Sequence, residues 1–140
     1  MPAFFNLTAF GIILLGVLDW KTGFSDSWNR VIGGLLWITG MGLAIRGVTC
    51  LGIKNTTGSS TGLVIKGPYR WTRNPQYLGF MLGLIGWGLM SDSTYTLIAG
   101  IAGWIPLYLV PCVEEPWLVD KYGAEYADYL KTIPRFLFLL

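Results

Sequence analysis

An all-α integral membrane bundle of about four transmembrane helices, with an amphipathic helix at the membrane interface towards the C-terminus, is the fold the sequence predicts. Three observations predict it. The 140 residues are 53% hydrophobic and only 13% charged, with a mean hydropathy of +0.53; an ordinary soluble domain is about 25% charged. Four apolar runs reach or approach the roughly 20 residues that a helix needs to cross a hydrocarbon core. Most of the cationic residues fall in one central loop and one tail. A chain of this length has room for a single domain, residues 1–140. The net charge of +2, with no long run of Lys or Arg, gives no reason to expect a nucleic-acid partner.

The first span is residues 2–18. Its surroundings, "MPAFFNLTAFGIILLGVLDW", lack a basic leader and a small-residue cleavage site, so it is expected to be retained as a helix. The second is residues 31–50, interrupted by Arg46 near its end. The third, residues 76–90, is short unless earlier residues extend it. The fourth is residues 94–113. Only "SDST" separates the last two, which predicts a tight antiparallel hairpin with Asp92 in a loop where its charge costs nothing. Gly79, Gly83, Gly86 and Gly88, with Ala99 and Gly103 in the fourth span, let helix backbones approach closely in lipid. Some of them could instead clear space for a ligand.

The tail, residues 114–140, carries Trp117, Leu118, Tyr122, Tyr126, Tyr129, Leu130 and Ile133 at helix-like spacing between charged residues. That pattern predicts a helix lying at the membrane interface. Pro116 can start it and Gly123 weakens its middle. Eight of the ten basic residues lie in or beside the loop 51–75 (Arg46, Lys54, Lys66, Arg70, Arg73) or in the tail (Lys121, Lys131, Arg135). Lys21 and Arg30 lie on the other side. The positive-inside rule therefore puts the loop, the tail and both termini in the cytoplasm.

The chain has no histidine, which excludes any step that needs imidazole as acid, base or ligand. Cys50 and Cys112 form no C-x-x-C pair and read as buried thiols. No metal site is expected. The polar residues that remain fall in two places: Tyr69, Arg70, Arg73, Asn74, Gln76 and Tyr77 around the start of the third span, and Glu114 and Glu115 at the end of the fourth. The Glu pair could be a helix end in headgroup water that bridges to Arg70 or Arg73. It could also be one wall of a pocket whose other wall is aromatic rings and amides, suited to a cationic ligand that also forms hydrogen bonds. Lys66 and Arg70 then anchor the helix entry, while Arg73 and Asn74 belong to the pocket wall. Asn74 precedes a proline and is held extended. Pro75 can open the helix, which leaves Asn74 at an N-terminus where donors favour a ligand's carboxylate.

"LVIKGPYRWTRNPQYLG", followed about 35 residues later by "EEPWLVDKYGAEYADYLKTIPRF", resembles the isoprenylcysteine carboxyl methyltransferase family of integral membrane enzymes. That family is related in pattern to the phospholipid N-methyltransferases. Its pattern is a Gly-x-Tyr turn, Arg-His-Pro-x-Tyr-x-Gly entering a helix, Glu-Glu-x-x-Leu, and a (Phe/Tyr)-Gly-x-Glu-Tyr tail ending in Pro-Arg. Here these read "GPYR", "RNPQYLG", "EEPWL" and "YGAEYADYLKTIPR", over residues 61–136. The resemblance implies S-adenosyl-L-methionine as methyl donor, bound from the cytoplasmic side. It also implies a lipophilic acceptor from the bilayer, either an isoprenylcysteine carboxyl group or a phospholipid such as phosphatidylethanolamine.

By matching motif, the donor would touch Thr61, Gly62, Leu63, Val64, Tyr69, Asn74, Pro75, Gln76, Tyr77 and Glu114. Arg73, Asn74, Tyr77 and Glu115 would carry the reaction. Backbone groups of residues 61–64 would read the adenine edge, Glu114 would accept from the donor's ammonium or ribose, and Tyr69 or Tyr77 would face the sulfonium. Gly79 would let the donor or a neighbouring helix approach. Asn74 stands where the family has histidine, and it cannot titrate. Before the Glu pair, where eukaryotic members carry an arginine for the substrate carboxylate, "IPLYLVPCVEE" has no cation. That carboxylate would need Arg73 or Arg46. A phospholipid amine would need a base, with Glu115, Tyr69 or water available, so the absence of histidine favours an acceptor that is already anionic. Two other readings stand beside this one: a non-catalytic, partner-binding bundle, and a membrane reductase of related fold.

Overall fold

The computed structural model describes residues 2–20, 27–52 and 62–137, which hold six α-helices, one 3-10 turn and no β-strand. In order these are α1 (Pro2–Leu18), α2 (Ser27–Leu51), the 3-10 turn (Gly67–Arg70), α3 (Pro75–Met90), α4 (Thr94–Ala102), α5 (Trp104–Tyr122) and α6 (Ala124–Thr132). The all-helical expectation holds, and the apolar runs become the helices. Two helical stretches, Trp28–Leu51 and Thr94–Tyr122, are long and apolar enough to cross a membrane. With 17 and 16 residues, α1 and α3 fall short of the usual span. Large apolar side chains such as Phe10, Leu18, Leu35, Ile38, Ile98 and Ile105 are exposed along α1, α2, α4 and α5. Apolar exposure on this scale suits a surface that faces lipid.

The chain divides into two compact units. The first comprises Met1–Met41 and Phe80–Pro106. Its helices touch through glycine: a Cβ on Gly86 would lie 2.4 Å from the Trp37 backbone N and 2.7 Å from the Gly33 carbonyl O. The backbones of α2 and α3 are therefore in contact, which is how small residues drive association where lipid is the solvent. The expected α3–α4 hairpin is present. Gly88 sits against Leu97 and Gly100 against Leu84, an antiparallel register. Trp104 Nε1 donates to the Met81 carbonyl O at 3.0 Å.

The hairpin turn corrects one expectation. Asp92 is not a solvated loop residue but only 3% exposed, with φ at 56°. Arg30 Nη2 lies 3.0 Å from its Oδ2, and this pairing offsets the cost of withdrawing a carboxylate from water. Next to it, Ser93 caps α4 by accepting from the Thr96 N–H at 3.1 Å and donates to Asp19 Oδ2.

The second unit comprises Gly42–Gly79 and Leu107–Leu140. A Cβ on Gly47 would lie 3.0 Å from the backbone N of Gln76, so the end of α2 lies against the start of α3. Its buried apolar residues include Ala44, Tyr69, Leu107, Tyr126, Tyr129 and Phe136.

The end of the fourth span also departs from expectation. Instead of stopping at residue 113, the helix is interrupted at Gly103 and then runs on to Tyr122. Pro106 accounts for the interruption, because it cannot donate to the Ala102 carbonyl and its ring crowds that group. The tail helix does not begin at Pro116. Pro111 and Pro116 both lie inside α5, and the chain turns at Gly123, before α6.

Gly86→Ala is expected to lower stability by about 1–3 kcal/mol through overpacking. Gly42→Ala, where a Cβ meets nothing within 4 Å, is expected to be neutral or mildly stabilising. Thermal unfolding of the two variants in detergent checks this.

Candidate active site

The second unit gathers the polar residues of the central loop and the tail. Residues 62–66 run irregularly into the 3-10 turn, with Gly62 exposed and Leu63 and Val64 half-buried. Thr61, expected with them, lies outside the described residues. Gly67 has φ at 59°, and a Cβ there would meet Cys50 Sγ at 2.9 Å, so the turn needs glycine on both counts. The turn buries Tyr69 and leaves Arg70 exposed. Pro75 is fully buried as the first residue of α3, and Leu78 N donates to the Asn74 carbonyl O at 3.0 Å. Asn74 is thus the N-cap residue of α3, as its place before proline predicts.

A strap of tail residues closes on this segment. Arg73 N donates to the Pro134 carbonyl O at 3.0 Å. The Arg135 carbonyl O accepts from Thr72 Oγ1 at 2.9 Å and from Asn74 Nδ2 at 3.2 Å. Tyr129 OH donates to the Tyr69 carbonyl O at 2.7 Å. The Asn74 amide, expected to face a ligand, therefore commits a donor to holding the tail.

The Glu pair is held by two different sets of partners. Tyr77 OH donates to Glu114 Oε2 at 3.1 Å, which joins the start of α3 to the middle of α5. Glu115 receives a bidentate arginine, with Arg135 Nε at 3.0 Å from Oε1 and Nη2 at 2.6 Å from Oε2. Arg73 Nη2 stands 3.6 Å from Glu115 Oε1. Of the two arginines considered as bridges to the Glu pair, Arg73 is near Glu115, and Arg70 is in none of the ion pairs among the described residues. The strongest partner is a third, Arg135. Its fork matches a carboxylate in a way that a lysine point charge cannot. Bonding to Glu115 makes Arg135 still harder to deprotonate.

Arg135 was visible in the sequence only as the close of the "IPR" tail motif, and Thr72 carried no signal beyond lying between two motif arginines. The cysteines depart from the buried-thiol expectation. Both are half-buried, and Cys112 Sγ lies 3.2 Å from Arg135 Nη1. The tail aromatics also divide differently from expectation. Trp117 is exposed, with Lys121 Nζ 4.3 Å from its ring centroid, while Tyr126 and Tyr129 are core residues.

Burial, followed by the Glu115 carboxylate, pushes the Tyr126 phenol from its ordinary 10 up to about 12. Burial likewise raises Tyr69 and Tyr129. The folded chain holds the Tyr126 proton more tightly than the unfolded chain does. The stability linked to it is therefore complete below pH 10 and is lost as pH rises through about 12. Unfolding temperature is expected to fall across that window, and Tyr126→Phe is expected to flatten part of the fall. Melting curves from pH 8 to 12 check this.

The model of the phospholipid methyltransferase family matches residues 28–125. Over 89% of its length the chain is 26% identical to a nickel-cobalt-cadmium resistance protein, NccN, of Alcaligenes xylosoxydans xylosoxydans. It is also 26% identical to a cobalt-zinc-cadmium resistance protein, CzcN, of Cupriavidus metallidurans. It covers 59% and 57% of those two proteins. Over 58% of its length it is 33% identical to the protein-S-isoprenylcysteine O-methyltransferase of Saccharomyces cerevisiae, of which it covers 34%. The family match takes in most of the chain, from α2 to the start of α6 and including both Tyr77 and the Glu pair. The chain therefore belongs to the phospholipid methyltransferase family of membrane methyltransferases.

Proposed function

We propose that the chain is an S-adenosyl-L-methionine-dependent methyltransferase of a lipophilic, membrane-borne acceptor, similar to the isoprenylcysteine carboxyl O-methyltransferases. The observation that carries the reading is the Tyr77–Glu114 bond, 3.1 Å long. It joins the two motif halves in one unit, at the positions where the family resemblance puts donor-binding residues. The donor set suits the ligand. Glu114 is exposed and forms none of the ion pairs among the described residues, so its carboxylate can serve a cationic group. The Tyr69 hydroxyl is buried without a hydrogen-bond partner, as a ring at a ligand-lined wall would be.

When bound, S-adenosyl-L-methionine supplies an already activated methyl group on sulfur. The protein's part is then to orient and to exclude water. Glu114 binds the ammonium or ribose and is itself aimed by Tyr77. Pro75 and Asn74 fix the entry of α3, and Gln76 at that entry lies against α2. Arg135 engages both oxygens of Glu115, so Glu115 is a positioning residue. With no imidazole in the chain, an acceptor that is already anionic needs no proton removed. The description of the family makes N-methylation of a phospholipid amine the second reading.

Calorimetry with S-adenosylhomocysteine is expected to show binding, and Glu114→Ala is expected to weaken it roughly ten- to a hundred-fold. A folded wild-type chain that binds none defeats the proposal. Labelled methyl transferred to native membrane lipids is expected in an alkali-labile ester; alkali-stable label selects the N-methylation reading. The orientation proposed above puts the loop in the cytoplasm. A cysteine replacing the exposed Lys66 is then expected to resist impermeant maleimide in intact cells and to react after lysis.

A further inference from the structure

Arg73 is a nearly buried cation whose nearest carboxylate is already taken. Its side chain is 5% exposed. Arg135 donates to both oxygens of Glu115, at 3.0 and 2.6 Å. Arg73 Nη2 stands 3.6 Å from Oε1, beyond hydrogen-bond distance, and its Nε is buried with no hydrogen-bond partner. Withdrawing a guanidinium from water is unfavourable unless both its charge and its donors are met. One carboxylate shared with a bidentate partner meets them poorly. The same short segment holds a second buried polar atom without a partner, Tyr69 OH. The stretch before the Glu pair offers no alternative cation, and both Arg46 and Arg70 are exposed.

We infer that Arg73 is an oxyanion-binding residue of the site, its guanidinium taking a carboxylate or phosphate oxygen of a ligand in place of the long contact with Glu115. The inference rests on the methyltransferase reading above. The planar fork of arginine matches either oxyanion. When Arg73 turns to a ligand, Arg135 still neutralises Glu115, so no bare carboxylate is left behind. Two sources can supply the oxyanion: the anionic group of the acceptor, or the amino-acid carboxylate of the methyl donor.

The test uses the full chain in detergent micelles as wild type, Arg73→Gln and Arg73→Lys. Donor-site affinity is read by calorimetry with S-adenosylhomocysteine. Methyl transfer is read with two acceptor probes, an N-acylated S-farnesylcysteine and phosphatidylethanolamine vesicles, and the C-terminal amide of the first serves as a competing ligand that cannot be methylated. For Arg73→Gln, the KM for the anionic acceptor is expected to rise roughly ten- to a hundred-fold, with S-adenosylhomocysteine affinity unchanged. Arg73→Lys is expected to recover part of the loss. The amide probe, which lacks the charge, is expected to inhibit the wild type at least about tenfold more weakly than the carboxylate.

A rise confined to the vesicle acceptor assigns the oxyanion to a lipid phosphate. A loss confined to S-adenosylhomocysteine assigns it to the carboxylate of the donor. Equal behaviour of all three proteins towards every ligand overturns the inference. A uniform loss that tracks a lower unfolding temperature and is not recovered by lysine also overturns it. Should Arg73→Gln fail to fold, wild type and Arg73→Lys decide. Indifference of both to the acceptor's charge, together with equal S-adenosylhomocysteine affinities, counts against the site. A folded wild type that binds no S-adenosylhomocysteine removes the methyltransferase reading and this inference together. S-adenosylhomocysteine binding by the wild type, together with affinities and acceptor KM values that all ignore Arg73, removes the inference alone.

Discussion

The second unit depends on one carboxylate. Glu115 stands half-buried on α5, and two hydrogen bonds from Arg135 neutralise it. Without that arginine the carboxylate would be withdrawn from water with only a 3.6 Å contact to Arg73, and a bare, partly desolvated charge is strongly unfavourable. The pair therefore needs the tail in place, and the tail in place organises the rest. With the Arg135 side chain on Glu115, its carbonyl can accept from Thr72 and Asn74. Pro134, one residue earlier, can receive the Arg73 N–H. Phe136, one residue later, stacks on Tyr108 with ring centroids 5.7 Å apart. Three consecutive tail residues thus bind three different parts of the unit.

This arrangement separates the roles of two adjacent glutamates. Neighbouring positions on a helix point about 100° apart. Glu115 can therefore turn to the tail while Glu114 turns to Tyr77. The first is saturated by a cation inside the protein. The second accepts from one neutral hydroxyl and keeps its exposure. Glu114 therefore keeps acceptor capacity that Glu115 has already committed to Arg135. Arg73, by contrast, stands 3.6 Å from Glu115 and keeps a buried Nε with no hydrogen-bond partner.

What the sequence made legible follows from what each signal measures. Hydropathy locates spans well, and α1 and α3 lie where the apolar runs put them, with α3 starting one residue early at Pro75. It locates helix ends poorly, because the α-helix of residues 104–122 carries its geometry past Pro111 and Pro116 into charged sequence. A short polar loop predicts a solvated Asp92. Nothing local reveals that Arg30, 62 positions away, lies at 3.0 Å. Tyr126 and Tyr129 have the spacing of an interfacial helix, and the same spacing equally suits a helix whose aromatic face closes a core. Amphipathic period states that one face is apolar, not what covers it. The partnership of Arg135 with Glu115 spans 20 residues and belongs to the tertiary structure alone.

The substitution of asparagine at position 74 fits the same logic. The position follows a loop, precedes proline and caps α3 through its carbonyl, with Leu78 N at 3.0 Å. Its side chain donates to the Arg135 carbonyl at 3.2 Å, and its own N–H donates to Thr72 Oγ1 at 3.2 Å. Each of these contacts asks for a hydrogen-bonding group and none asks for a titrating one. A neutral imidazole would also present an N–H, so histidine and asparagine are equivalent for holding the tail. They differ in shape, in the number of donors and in the capacity to take a proton. Asn74 supplies the donor without that capacity. The contact that remains is the one that fixes Arg135, and through Arg135 the charge on Glu115.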